Sequence, residues 1–293
     1  MPAAVRPSSP IARRASRLLG ALAGAAIVAG LASPPAGAAA VKITKARASS
    51  VEAPAGTSAD RVYDVDGADA TAYCGTQGTP IMVGWTGLRS PVDEVRVRAD
   101  GNYASVETRK AMTATRVRAS ALCARGPLRA SVVTPDGTTA SCGAKLALGI
   151  PVRTSWPYAE SAVAVRADGT RRWRVTGPVG WRAAAVCVSA RAFKRVTTRS
   201  ATASFRPGQV ESTVAATCPS GRRPIAWGHE ADPAIGNLWQ SSESRDTRLS
   251  VPFISAAQAS GARGWRLTFR TPDQQPAVAG SRIAVHLTCA TPR

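Results

Sequence analysis

Apolar and polar residues alternate with a period of two along several short stretches of the chain. The clearest examples are Val95/Val97, Ala119/Ala121, Val163/Val165 and Ile283/Val285/Leu287. Gly, Pro, Asp and Ser are concentrated between these stretches, which is typical of half-buried β-strands separated by turns. Downstream of residue 38, only Ser255 to Gln258 is compatible with a helical turn. The pattern therefore predicts an all-β protein.

The chain also repeats itself. The heptapeptide at 95–101, VRVRADG, recurs as VAVRADG at 163–169, and Cys74 with its downstream Pro-Ile and Gly recurs at Cys218. Self-similarity at such periods indicates repeated structural units. Each of three units is expected to hold about five short strands, antiparallel because the connections are too short for crossover helices.

The predicted organisation has five segments. They are a signal peptide at 1–38, a loose N-terminal segment at 39–60 that begins with one possible strand, and β repeats at 61–126, 127–196 and 197–293. The junctions between repeats are short and lack a Gly/Ser linker, so we expect the units to pack together. A pseudo-threefold assembly, prism-like or trefoil-like, is favoured over beads on a string.

The N-terminus has the order of a secretory signal peptide. Four arginines precede an apolar run at 18–32, which is followed by small residues ending at Ala38. Cleavage is expected after Ala38, with Ala40 as the alternative. The apolar run is too short to span a ~30 Å hydrocarbon core comfortably, so an uncleaved membrane anchor is the less favoured interpretation. The mature chain is therefore expected to be extracellular and to have no transmembrane anchor.

Six cysteines in an exported chain indicate up to three disulfides. Each unit has one cysteine near its first strand and one near its last, so closure within units is the simplest scheme. That scheme pairs Cys74 with Cys123, Cys142 with Cys187, and Cys218 with Cys289. The competing scheme bridges neighbouring units through Cys123–Cys142 and Cys187–Cys218.

The third unit resembles a repeat known from uncharacterised secreted proteins of actinobacteria. The resemblance is carried by the turn Cys218-Pro219-Ser220-Gly221 before an apolar strand ending in Gly228, by Gly264-Trp265, and by the last strand ending in Cys289. The first unit departs from this pattern with Gly75 and Gln77, and the second shortens the turn. The resemblance implies an exported β repeat and no particular activity.

Catalytic and metal-binding chemistry is scarce in the sequence. His229 and His286 are its two histidines, and His286 alternates with apolar neighbours as a structural residue would. His229-Glu230 begins like a zinc-protease helix, but the second histidine four positions on is absent. We therefore expect no catalytic residue, no metal and no cofactor, and a protein that is not an enzyme.

Acidic residues leave two alternatives open. Asp64, Asp66 and Asp69 surround a glycine, which suits either a solvated turn or a weak calcium loop, although the EF-hand spacing is missing. Carboxylates could also converge in space as the acid pair of a glycosidase. The candidates for such a pair are Glu94, Glu160, Glu230 and Asp232.

Basic residues point instead to binding. The chain has 38 Lys and Arg against 18 acids, and removal of four signal-peptide arginines leaves 34 − 18 = +16. Candidate binding residues are Arg96, Arg98, Arg116 and Arg118, which would cluster if their strands share a sheet, and Arg171, Arg172 and Arg174. Guanidinium groups suit phosphate and carboxylate. A solvated face produced by GC-rich codon usage would look the same.

These features predict an exported, non-catalytic protein that binds an anionic cell-wall polymer or a polysaccharide. Nucleic acid is expected only as a nonspecific contact. Trp173 and Trp265 occupy matching repeat positions and are expected in the core, whereas Trp156, Trp181 and Trp239 could be exposed to a glycan. The alternatives are an extracellular polymer hydrolase with paired carboxylates and an enzyme inhibitor presenting the 230–248 loop.

Overall fold

Where the structure describes the chain, its regular elements are β-strands and one short 3-10 turn, Ala190–Ala192. The computed structural model describes residues 40–53, 69–76, 78–87, 92–98, 102–108, 115–133, 137–150, 164–176, 184–231, 237–240, 247–250, 253–271, 276–277 and 279–293. The all-β prediction is confirmed for these residues. The expected signal peptide at 1–38 lies outside them.

The strands fall into three successive groups. The first group is β1 (Lys42–Lys45), β2 (Arg47–Ala48), β3 (Ser50–Ala53), β4 (Asp69–Tyr73), β5 (Gly78–Thr86), β6 (Val92–Arg98), β7 (Tyr103–Thr108) and β8 (Thr115–Arg125). The second is β9 (Ser131–Val133), β10 (Thr139–Ser141), β11 (Leu146–Ile150), β12 (Ala164–Asp168), β13 (Arg172–Thr176) and β14 (Ala184–Val188). The third is β15 (Phe193–Ser204), β16 (Glu211–Thr217), β17 (Arg223–Ala231), β18 (Asn237–Gln240), β19 (Thr247–Ser250), β20 (Phe253–Ser260), β21 (Gly264–Arg270) and β22 (Arg282–Pro292).

All three groups use one pattern of antiparallel pairing. In the first, β7 lies between β4 and β6, and β8 lies between β1 and β5. In the second, β13 lies between β10 and β12, and β14 between β9 and β11. In the third, β21 lies between β16 and β20, and β22 between β15 and β17. The repeated unit therefore has six strands rather than the predicted five, because a strand that precedes the first Cys pairs with the last strand.

Strands of different groups also join into common sheets. β20 pairs with β5 at Ala257 and Trp85, and β12 pairs with β17 at Val165 and His229. Trp85 and His229 stand at the same distance from the first Cys of their groups, so the same joint occurs twice. The results are a seven-stranded and a six-stranded sheet, each made from two groups.

The remaining described strands form a four-stranded sheet containing β6, a three-stranded sheet containing β11, and the β18–β19 pair. These sheets do not by themselves establish a closed threefold prism. The described residues all belong to one compact unit, Ala38–Arg293, as expected if the repeats pack together.

Two local details differ from what the sequence suggests. In the segment 39–60, the one possible strand is three strands as far as Ala53, since β1 and β3 both add to β8 and the Val41 N–H donates to the Arg293 carbonyl oxygen; residues 54–60 lie outside the described part. Residues 255–258 form part of β20 rather than a helical turn. In both places, pairing with a neighbouring strand satisfies backbone groups that a loose or helical segment would have to satisfy in another way.

The three disulfides close the units individually. Cys74 bonds to Cys123, Cys142 to Cys187, and Cys218 to Cys289, and no cysteine is free. Each bridge links the end of the first Cys strand to the last strand, and all six cysteines are buried. The scheme that bridges neighbouring units is not formed.

Tryptophans fill the joint between the first and third groups. The rings of Trp85 and Trp227 lie 5.6 Å apart, and Trp227 stacks on Trp265 at 6.1 Å. Trp85 donates its indole N–H to the Ile254 carbonyl and Trp227 donates to the Val83 carbonyl, both at 2.8 Å and both across the joint. Trp173 and Trp265 are each 1% exposed, which confirms that they are core residues.

We expect intact-mass and peptide mapping of the secreted protein, without and with reduction, to give the three bridges found here. The same experiment should find the chain beginning near Ala39. Free thiols, or a peptide linking Cys123 to Cys142, would contradict the pairing. Replacing both Cys218 and Cys289 by Ala should lower the free energy of unfolding by roughly 2–5 kcal/mol.

Gly84 allows a second test of the joint. A Cβ atom on Gly84 would collide with the Ala257 carbonyl oxygen and would lie 2.9 Å from both Ser120 Oγ and the Trp265 ring. Gly84→Ala should therefore lower the free energy of unfolding by about 1–3 kcal/mol in chemical denaturation. Gly137→Ala is the matched control, because nothing lies within 4 Å of a Cβ there. Equal stability of the two variants would argue against the close approach at Gly84.

Candidate functional surfaces

The predicted arginines of the first unit do not share a sheet. Arg96 and Arg98 are on β6 in the four-stranded sheet, whereas Arg116 and Arg118 are on β8 in the seven-stranded sheet. Arg116 and Arg118 are exposed, and the side chains of Arg96 and Arg98 lie outside the described part. The shared sheet on which the four-guanidinium cluster depended is thus absent.

The second predicted group lies at the turn between β12 and β13. Arg171, Arg172 and Arg174 are exposed, as expected for a binding surface. However, Arg172 and Arg174 both approach Asp168, at 3.3 and 3.4 Å, with side chains 53% exposed. Ion pairs this exposed contribute little stability. One carboxylate nevertheless offsets part of the positive charge of this group.

Basic residues also lie at the strand ends beside the disulfides of the first and third units. Lys42 pairs in register with Arg125, and Lys194 and Arg223 oppose Thr291 and Ala290 of β22, which puts them on opposite faces of that sheet. The Val41–Arg293 hydrogen bond brings the two units together here. We name these residues the disulfide-end cluster: Lys42, Arg125, Lys194, Arg222, Arg223, Arg263 and Arg293.

Neutral oxygens hold the arginines of this cluster in place. Arg125 and Arg263 donate to the carbonyls of Cys74 and Cys218, both at 3.4 Å, and Arg222 donates to Thr197 Oγ1 at 2.6 Å. Among described residues, no carboxylate forms an ion pair with any member. The positive charge of the disulfide-end cluster is therefore not cancelled by the acids that the structure describes.

The sequence did contain a signal for this cluster. Arg125, Arg222 and Arg293 each follow a cysteine by two or four residues, and the repeat places those cysteines at equivalent strand ends. The contribution of Lys42 and Lys194 could not be seen, because it depends on strands that were not predicted to pair with β8 and β22.

The two histidines have different surroundings. His229 lies against Trp227 and Phe269, with ring centroids 6.2 and 6.1 Å away. It belongs to strand β17, so the helix that a zinc-protease motif requires is absent at this point. His286, on β22, lies between Ser200 and Glu230 on the neighbouring strands. Its Nδ1 is 2.8 Å from Ser200 Oγ, and its Nε2 is 3.4 Å from Glu230 Oε2.

Several other candidates from the sequence lie outside the described part of the chain. The residues concerned are Asp64, Asp66, Glu160, Asp232, Trp156 and Trp181, together with the side chains of Asp69, Glu94 and Trp239. Within the described ranges, no group of three or more His, Cys, Asp or Glu side chains could hold a metal ion. Strands β18 and β19 pair within the inhibitor-like insertion at 230–248.

Comparison with known proteins assigns no family to the chain. No family model matches it, and no curated protein is significantly similar to it. In the described part, no helix has the length and apolar character needed to cross a membrane. Three disulfides are typical of proteins from oxidising compartments, including the extracellular space.

Proposed function

We propose that the protein is exported and binds an anionic polymer at the cell surface through the disulfide-end cluster. Seven cations at strand ends beside two disulfides, none of them ion-paired with a described acid, are the observation that carries this proposal. Binding of this kind needs no catalytic step. Secretion agrees with the three disulfides, and an actinobacterial origin remains part of the proposal through the resemblance of the third repeat.

Arginine chemistry supports this kind of ligand. A guanidinium has five N–H donors, and the contacts of Arg222 and Arg263 each occupy one nitrogen, so other donors remain for phosphate or carboxylate oxygens. The residues that hold the cluster stand at strand ends beside two disulfides. Little side-chain and backbone freedom would therefore be lost on binding.

We further propose that the three units form a pseudo-threefold, prism-like assembly. The repeated joint between units supports this arrangement, since the strand pairs β20–β5 and β12–β17 are equivalent. In a threefold assembly, β6 and β11 would form the third pair of this kind. We expect cross-strand nuclear Overhauser effects between amide or α protons of β6 and β11. Their absence in an otherwise assigned spectrum would reject the threefold arrangement.

The binding proposal predicts a dependence on particular positions rather than on net charge. A variant with Arg125, Lys194, Arg223 and Arg263 all changed to Gln should bind polyphosphate about tenfold more weakly at 0.1 M salt, since four exposed contacts contribute roughly 0.2–1 kcal/mol each. Isothermal calorimetry at several salt concentrations would measure this, and affinity should fall as salt rises.

The matched control removes four charges elsewhere, through Arg116, Arg118, Arg206 and Arg266 changed to Gln. All four are exposed in the structure. This control should retain most of the affinity. Equal losses in the two variants would assign binding to net charge alone, and no binding of polyphosphate or polygalacturonate by the wild-type protein would reject the proposal. Neutral dextran separates charge-driven binding from glycan binding.

A further inference from the structure

A hydroxyl, an imidazole and a carboxylate lie side by side across three strands of the six-stranded sheet. Ser200 on β15 opposes His286 on β22 in the ladder, and Glu230 on β17 lies diagonally across from His286. No catalytic residue is expected from the sequence. We propose that Ser200, His286 and Glu230 form a hydrolytic site that cleaves carboxylic esters carried on anionic substrates, an activity beyond the proposed binding function and independent of the disulfide-end cluster.

The two contacts of His286 are chemically consistent with each other. A proton on Nε2 faces Glu230 Oε2 at 3.4 Å, which leaves Nδ1 unprotonated to accept the Ser200 hydroxyl at 2.8 Å. This is the arrangement of an activated nucleophile: a base within hydrogen-bond reach of a hydroxyl, oriented by a third group. The nitrogens have exchanged roles relative to the usual serine triad, in which Nε2 faces the serine.

The 3.4 Å separation from Glu230 is an electrostatic contact rather than a hydrogen bond, since Nε2 has no hydrogen-bond partner among described residues. Such contacts in unliganded sites often tighten when substrate binds. The His286 side chain is 17% exposed and that of Glu230 is 45% exposed. Glu230 therefore acts as a positioning residue, whereas Ser200 and His286 would contact the reacting atoms.

Backbone direction supplies a donor for the developing oxyanion. The Phe205 N–H donates to the Ser281 carbonyl oxygen, and the Phe205 carbonyl oxygen accepts from the Gly280 N–H. Both backbone groups of Phe205 therefore point towards the chain that leads into β22. These directions alternate along a strand, and the ladder from Thr197 to Ser204 has no register shift. The N–H of Ser200 therefore points away from β22. In the part of the chain that the structure describes, the one ladder partner of β15 is β22, so this N–H points to the side of β15 away from that partner.

The surroundings of the site favour a negatively charged substrate. Gly228 opposes His286 on the other side, and Ala284 and Thr288 flank it on the same face; all three are small and buried, whereas Ser200 is exposed. Arg282, at the start of β22 on the same face as His286, is exposed and would favour an ester that belongs to an anionic chain.

The reaction balances with water as its co-substrate. The Ser200 hydroxyl proton moves to His286 Nδ1 as Oγ bonds to the ester carbonyl carbon, and the carbon–alkoxy bond then breaks as the imidazolium returns that proton to the leaving alcohol. Water then gives a proton to His286 Nδ1 as its oxygen bonds to the acyl carbon, and the bond from that carbon to Ser200 Oγ breaks as the imidazolium returns the proton to Oγ. This releases the carboxylic acid and restores the serine. No oxidant, reductant or metal is required.

Labelling of the full secreted protein with a fluorophosphonate, located by peptide mass spectrometry, tests the site. An unactivated surface serine is not expected to react, so labelling at Ser200 would support the proposal. Ser200→Ala should abolish labelling and hydrolysis of p-nitrophenyl acetate, and His286→Ala should reduce hydrolysis about 100-fold or more. Ser204→Ala, which changes a hydroxyl on the same face of β15, should leave both unchanged.

Glu230 variants separate positioning from a merely structural role. Glu230→Gln should lower kcat about tenfold with little change in KM, and Glu230→Asp should restore most of the loss. Thermal unfolding of each variant checks that the sheet is intact. Lack of fluorophosphonate labelling at Ser200 in the wild-type protein, or hydrolysis that survives Ser200→Ala, would overturn the proposal whether or not the polymer is bound.

Discussion

Backbone pairing between strands of different repeats is the constraint on which the rest of the structure depends. At the joint of β5 and β20, Gly84 lets the chains approach, and the indoles of Trp85 and Trp227 each donate to a carbonyl across the joint. Buried indole N–H groups are costly unless paired, so these bonds favour one register of packing. No repeat can satisfy these tryptophans by itself.

The last strand of the third unit, β22, connects this packing to the functional residues at the surface. β22 carries Cys289 in its bridge, lies between β15 and β17, and holds His286 among groups from both neighbours. The same strand end places Arg293 near Val41, which brings the cations of the first and third units together. The basic cluster and the ester-cleaving site that we propose are thus two consequences of one central strand.

Much of the fold could be predicted because the signals are local or repeated. Alternation of apolar residues predicts strands, and the recurrence of Cys74 at Cys218 predicts which cysteines share a unit. The sixth strand of each unit could not be predicted, since β1, β9 and β15 are short or polar and are defined by the partner they join. For the same reason, the sequence could not show whether Arg98 and Arg118 share a sheet, and they lie in two.

The sequence by itself determined the strand class, and it favoured three repeated units with one disulfide in each over bridges between units, because period-two patterns and equivalent positions in the repeat are visible in it. Only the tertiary structure decided which polar side chains meet. Ser200 and His286 are 86 residues apart, and their contact depends on ladder register. A shift of one residue would turn the side chains to the other face, so the sites exist only once the sheet has formed.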